Sequence, residues 1–320
     1  MEKKRSAGGY AMVTLKGLAM GAADVVPGVS GGTIAFISGI YEELLNSIKS
    51  IGGPALKLLF RGRLVAFWKA INGNFLASLV LGIAISIFSL AKGMTWLLEN
   101  EPIATWSFFF GLIIASTLLV SRDVTRWGFG TVLSFIGGGV ASYLITMVSP
   151  ASTPDTWWFV ILSGAIAVCA MILPGISGAF ILLLLGKYAF VMDAVANLRI
   201  GTILLFVGGA VTGIVLFSKF LSWLLAHHRN GTVSLLAGFM LGSLNKVWPW
   251  KETLETYTDS HGAVHPLTEA SISPNAYGAL TESDPQLWIA IGMCVAGFLL
   301  IWVIETIAKK ISRKMEATEL

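Results

Sequence analysis

Charge is what this sequence has least of. Only 12% of its 320 residues are Asp, Glu, Lys or Arg, against 55% hydrophobic, and the mean hydropathy is +0.77. A soluble domain of this length would carry roughly 25% charged residues, so a water-solvated globule is excluded. Cysteine is nearly absent. Cys169 and Cys294 both lie in apolar stretches, read as inert buried thiols, and say nothing of redox compartment. No histidine falls inside an apolar stretch, and no Ser/His/Asp or Cys/His set can be assembled at membrane depth, which argues against hydrolytic chemistry. Period-two alternation over regularly spaced segments is missing as well, against a transmembrane barrel. What the chain does have is repeated runs of about 20 apolar residues, each enough to cross about 30 Å of hydrocarbon. The reading is an all-α polytopic membrane protein. The N-terminus, "MEKKRSAGGYAMVTLKGLAMGAADVV", is basic and then apolar but interrupted by Lys16 and glycines, so it is expected to be kept rather than cleaved.

Six spans are expected, at about 75–98, 104–121, 128–148, 201–226, 231–248 and 286–308. Two further apolar stretches, about 11–47 and 157–192, are too long for one crossing and are broken by Pro-Gly pairs. Each is expected to be a re-entrant hairpin that returns to the side it entered from. Non-helical backbone at that depth is tolerated only under a cover of protein or water. Loop charge agrees. Lys3, Lys4 and Arg5, the acid-free basic linker 49–74, Arg122 and Arg126, the turn "HHRN" and the terminal "KKISRK" fall on one side, expected to be cytoplasmic. Glu99, Glu101 and the mostly acidic 249–285 loop fall on the other.

The two Pro-Gly stretches align without gaps. At a spacing of 147 residues Gly17 meets Gly164, Pro27 meets Pro174, Gly28 meets Gly175, Ser30 meets Ser177, Gly31 meets Gly178, Gly39 meets Gly186 and Tyr41 meets Tyr188. Further on, at a spacing of 127, Gly82 meets Gly209, Lys92 meets Lys219 and Gly111 meets Gly238; Ile136-Gly137 then meets Ile291-Gly292 at 155. The chain is therefore expected to be two repeats, 1–150 and 151–320, each a hairpin plus three crossings. Three is odd, so the second copy should be inverted, the architecture of secondary transporters with a site between the repeats.

The breaks carry the candidate chemistry. Pro27 and Pro174 lack an N–H, Gly28 and Gly175 admit positive φ, and Ser30 and Ser177 suit a helix N-cap. Such a helix start, with Gly31, Gly32, Thr33 and Gly178 nearby, offers amides to an anion. The bland alternative is a tight turn that needs small residues for packing. Lys92 and Lys219 are intramembrane repeat mates that either snorkel or supply charge to an anion. Asp24 precedes the first break and has Met171 as its mate; it is a candidate for coupling transport to a proton or sodium, or a local cap. Arg122 is a topogenic residue that could meet a phosphate. Glu42, Glu43 and Lys187 read as solvated residues at the hairpin exits. Lys246, in "KVWPW" beside the interfacial Trp248 and Trp250, could gather anionic headgroups. His261 and His265, near Asp259 and Glu269, could form a metal site but read as solvated loop residues; no metal and no cofactor are expected.

The segments "GAADVVPGVSGGTIAFISGIYEEL", "ILPGISGAFILLLLGKY" and "GFMLGSLNKVWPW" resemble the bacterial polyprenyl-phosphate transporters (PopT-type undecaprenyl phosphate translocases), formerly a family of unknown function, over essentially the whole chain. The resemblance implies a flippase of the bacterial cytoplasmic membrane. It would return undecaprenyl phosphate from the outer to the inner leaflet for reuse in peptidoglycan and other envelope polymers. Its partners would be that lipid and membrane lipids, not nucleic acid. The family motifs map onto Pro27-Gly28-Val29-Ser30-Gly31-Gly32 and Pro174-Gly175-Ile176-Ser177-Gly178. A transporter or channel for a small soluble anion is the alternative. An enzyme acting on a lipid phosphate would need a catalytic set that the sequence does not offer.

Overall fold

The structure is a computed structural model, which describes residues 5–24, 30–151, 153–258 and 264–316. It is 78% helical. The first half begins with α1 (Ala7–Asp24), a short α2 (Gly31–Ile37) and α3 (Tyr41–Lys49). Two short helices, α4 (Gly53–Phe60) and α5 (Leu64–Ala70), form the basic linker and lead into three long helices, α6 (Gly73–Asn100), α7 (Pro102–Ser121) and α8 (Phe129–Met147). The second half runs α9 (Trp157–Ile172), α10 (Gly178–Leu184), α11 (Tyr188–Ala196), α12 (Ile200–His227) and α13 (Arg229–Gly242). A 3-10 turn (Ser243–Val247), a hairpin of β1 (Lys251–Thr258) and β2 (Val264–Ser271), a short α14 (Pro274–Thr281) and α15 (Leu287–Glu316) complete it.

Among the described residues four helices are long and apolar enough to cross a bilayer: Gly73–Leu90 within α6, then α7, α8 and α12. The bent pair α10–α11, folded through 110°, would make a fifth span if it crosses as one unit. The span expected over 231–248 is a 14-residue α-helix that tightens into the five-residue 3-10 turn. The antiparallel hairpin, registered Lys251↔Ser271 and Thr253↔Glu269, falls in a segment read as loop and departs from an all-helical reading.

Both stretches with Pro-Gly pairs are broken twice. After the first break comes a seven-residue helix, then a turn at Gly39 or Gly186, both in the left-handed region at φ +72° and +61°. Side chains are disfavoured there, so these two glycines end α2 and α10 alike. Packing pairs recur as well. Helix α1 lies on α6 and α9 on α12, while α13 lies on α8 and α15 on α7. The first two crossings are close for one reason. A Cβ at Gly17 would strike the Leu79 carbonyl and one at Gly82 the Thr14 carbonyl; Gly164 meets Phe206 and Gly209 meets Ile161 in the same way. Small residues of this kind let apolar helices pack where no hydrophobic effect drives them together.

The largest core cluster draws on both halves: Val13, Met20, Ala35, Tyr41, Leu45, Phe75 and Ile113 with Ile172, Leu221, Val233, Leu236 and Met240. Large apolar side chains such as Phe88, Phe129 and Leu204 instead point outward and are exposed. In hydrocarbon they need no protein partner.

Candidate functional site

The first break separates α1 from α2. Pro27, Gly28 and Val29 lie outside the described residues. Ser30, fully buried, caps α2: its Oγ accepts the Gly32 N–H at 3.0 Å and donates to the Met171 carbonyl at 3.0 Å. Asp24 Oδ1 accepts the Gly31 N–H at 2.7 Å, and the Thr33 N–H bonds the Ser30 carbonyl at 2.9 Å. The orphan amides that every helix start presents are thus taken at positions 31, 32 and 33. A carboxylate there also complements the positive end of the helix.

The second break follows α9. Pro174 cannot continue the helix, and Gly175 turns at φ +94°, with Ser243 and Met240 so close that a Cβ would lie 2.8 and 3.0 Å from them. The break leaves the last carbonyls of α9 without amide partners from their own helix. The first half supplies them. Ser30 bonds Met171, and the Tyr41 hydroxyl donates to the Ile172 carbonyl at 3.1 Å. In return the Gly175 N–H donates to Thr33 Oγ1 at 3.1 Å. Gly32 lies against the Met171 and Ile172 carbonyls with no room for a side chain. Ser177 stands at the N-cap of α10 and makes no capping bond; among the described residues no side chain bonds the first-turn amides of α10.

Structure therefore joins Asp24, Ser30, Gly31, Gly32, Thr33 and Gly175 in one bonded network, beside Pro174, Ser177 and Gly178. It does not bring the paired lysines into it. Lys92 and Lys219 are exposed, and Lys219 Nζ lies about 3.7 Å from where a Cβ on Gly52 would stand, at the turn between α3 and α4. Arg122 pairs with Glu305 at 3.4 Å, joining α7 to α15. Glu42 is exposed and pairs with Arg229, whereas Glu43 is half-buried and pairs with Arg5 at 2.6 Å, tying α3 to the start of the chain.

Lys187 corrects its expected place on a solvated face. It is 1% exposed, donates to the Thr153 carbonyl at 2.8 Å, pairs with Asp155 and sits near the rings of Phe159 and Phe190. Its partners lie more than thirty residues upstream, where local sequence gives no hint of them. The tryptophans expected at an interfacial belt are also different. Trp250 is buried and donates to the Pro285 carbonyl, Trp248 donates to Ile272, and both hold the hairpin segment down on Ile103 and Ala290. His261 lies outside the described residues. Among the described residues no group of three His, Cys, Asp or Glu could hold a metal.

Sequence reasoning missed one charged cluster. Lys246 bonds Glu269 at 3.0 Å, and Lys251 bonds the same Oε2 at 3.4 Å and the Lys246 carbonyl at 2.7 Å. Burial pushes Lys251 down to about 8, against the opposing pull of Glu269. Burial would raise Glu269, but Lys251 and Lys246 outweigh it and hold the carboxyl below its ordinary value.

Apolar helices in excess of the core's needs, with two helix breaks bonded to each other across the halves, define a multi-pass helical membrane protein built around a polar centre. Residues 20–265 match the family model described as "VCA0040-like: Undecaprenyl phosphate translocase-like", and the chain belongs to that family. It is 47% identical over 301 residues to the "Polyprenyl-phosphate transporter" of Vibrio cholerae serotype O1, covering 94% of this chain and 98% of that protein. A second protein of the same name, from Staphylococcus aureus, is 36% identical over 253 residues, covering 73% of this chain and 85% of its own. The family and both relatives are described as transporters, not enzymes. No solved structure shows a significant match.

Proposed function

We propose that this protein moves a polyprenyl phosphate, undecaprenyl phosphate in particular, from the outer to the inner leaflet of the bacterial cytoplasmic membrane. This would recycle the carrier for peptidoglycan and other envelope polymers. The observation that carries the reading is the similarity to two polyprenyl-phosphate transporters, near full-length for the one from Vibrio cholerae, combined with two helix breaks that meet at a polar centre. A lipid phosphate asks for that combination: a polar passage for the headgroup while the tail stays in hydrocarbon.

In this reading the halves are inverted repeats with both termini in the cytoplasm. The matched packing of α1 on α6 and α9 on α12, and the matched turns at Gly39 and Gly186, support it. The headgroup binds between the breaks. The amides of residues 31–33 are already bonded, so the donors left for it are Ser177 and the first turn of α10 from Gly178. Pro174 and Gly175 shape that passage. Asp24 and the negative helix end at Met171 and Ile172 belong to one network, a setting for proton or sodium coupling.

A leaflet-specific assay of undecaprenyl phosphate in proteoliposomes tests this, run at several pH values and with or without sodium. Wild-type protein is expected to exchange the lipid between leaflets, and Ser177→Ala to slow it about tenfold or more. Failure of wild-type vesicles to move the lipid, with uptake of a hydrophilic anion instead, would replace this reading with the soluble-anion one.

A further inference from the structure

The hairpin end of the molecule holds two neighbouring cavities outside the hydrogen-bonded breaks. One, of about 30 Å³, is walled by Lys246, Lys251, Glu269, Thr268, Asn245 and Phe180. The other, of about 290 Å³, is lined by Phe110, Tyr143, Leu241, Leu244 and Trp248. Asn245 and Ser271 line both, so a charged compartment and an apolar one share a wall.

The charged compartment is a built site. Lys251 is 8% exposed, Lys246 and Glu269 each 19%. Two ammonium groups share one carboxylate oxygen, which leaves one positive charge in excess. Lys246 Nζ lies 4.8 Å from the Phe180 ring centre and Lys251 Nζ 4.4 Å from that of Trp106, so each ammonium also lies against an aromatic ring. A space of about 30 Å³ admits roughly two waters. A larger anion fits only where the Glu269 carboxylate now sits. The apolar compartment approaches the lower end of the ~300–1,000 Å³ that small-molecule sites occupy.

We propose that the two cavities are one binding site for a prenyl phosphate, its phosphate taken by Lys246 and Lys251 in place of Glu269 and its first prenyl units lying against Phe110, Tyr143, Leu244 and Trp248. The inference deepens the transport reading above and takes its ligand class from it. Glu269 is then an internal stand-in for the ligand's anion, held on a hairpin strand that can release it. The site adjoins the second break: Phe180 is on α10, and the 3-10 turn that carries Lys246 begins at Ser243, against Gly175. A headgroup leaving this site would meet Ser177 next.

Binding of farnesyl phosphate, farnesol and inorganic phosphate to the purified full chain tests the site. Farnesyl phosphate is expected to bind at least tenfold more tightly than either of the others. Lys246→Ala and Lys251→Ala should each weaken it about tenfold or more, whereas Lys251→Arg should keep it. Glu269→Gln should tighten it several-fold, because the competing carboxylate is gone. Leu244→Trp, which fills the apolar compartment, should weaken farnesyl phosphate but not inorganic phosphate.

A lock that merely holds the hairpin predicts the same sign for the lysine and Glu269 variants; that outcome overturns the proposal. So does a wild-type protein that binds none of the three probes, or inorganic phosphate as tightly as farnesyl phosphate. If the lysine variants do not fold, Glu269→Gln and Leu244→Trp decide. Lipid exchange that Ser177→Ala slows and the lysine variants leave intact would sink this inference alone. Lysine-dependent binding with no lipid exchange would sink the transport reading and leave the site standing.

Discussion

At the first break Asp24, Ser30 and the Ser30 carbonyl take the amides of residues 31 to 33, and Ser30 is fully buried. At the second, Met171 stands where Asp24 would be, Ser177 caps nothing, and the turn is made by a left-handed Gly175. One motif therefore serves two ends. The first copy is a closed clamp whose polar groups also bond the other half. The second keeps its helix start open.

The strongest attack on that contrast is on the glycines. Gly175→Ala must accept both a left-handed residue, about 1–2 kcal/mol, and contact with Ser243 and Met240, about 1–3 kcal/mol. It should lower the thermal midpoint in detergent most. Gly32→Ala, pressed on the Met171 and Ile172 carbonyls, should follow at about 2 kcal/mol. Equal tolerance at both would show that the breaks are not packed together.

Next come the serines. Ser30→Ala strands the Gly32 amide and the Met171 carbonyl and should cost about 2 kcal/mol. Ser177→Ala should stay within about 0.5 kcal/mol of wild type while lipid exchange falls. Reversed ranks, by thermal unfolding, would undo the division of labour.

Asp24→Asn keeps an acceptor for the Gly31 amide and loses only the charge at the helix start, about 1 kcal/mol or less. Exchange rates measured against pH and sodium should lose their ion dependence in this variant.

A separate, pH-dependent effect lies beside the second break. Folded Lys251 releases its proton near pH 8, and the unfolded chain not until 10.5. Between those values the unfolded state binds more protons, so stability rises with pH. Lys251→Met should flatten that rise, seen as a thermal midpoint that no longer climbs across the window.

Much of the scaffold could be read in advance because hydrocarbon imposes long apolar runs, and because Pro174 and the turn glycines interrupt them at a fixed spacing. Ser30 as a cap was legible from its place before Gly31 and Gly32. The contacts that join the breaks were not. Tyr41 to Ile172 spans 131 residues and Thr33 to Gly175 spans 142, and local pattern says nothing of such pairs. The β-hairpin escaped because "KETLETYT" is polar on both faces and reads as loop. Lys251 and Glu269 escaped with it, and Lys187 looked solvated because Asp155 is remote in sequence.

Tyr41, Ser30 and Thr33 together act as a latch between the halves. Any rocking that parts α2 from the end of α9 must open three hydrogen bonds, two of them buried, at about 1 kcal/mol each. That biases the resting population toward the latched arrangement on the order of a hundredfold. A cargo that is to drive the cycle must therefore favour the unlatched state by at least as much.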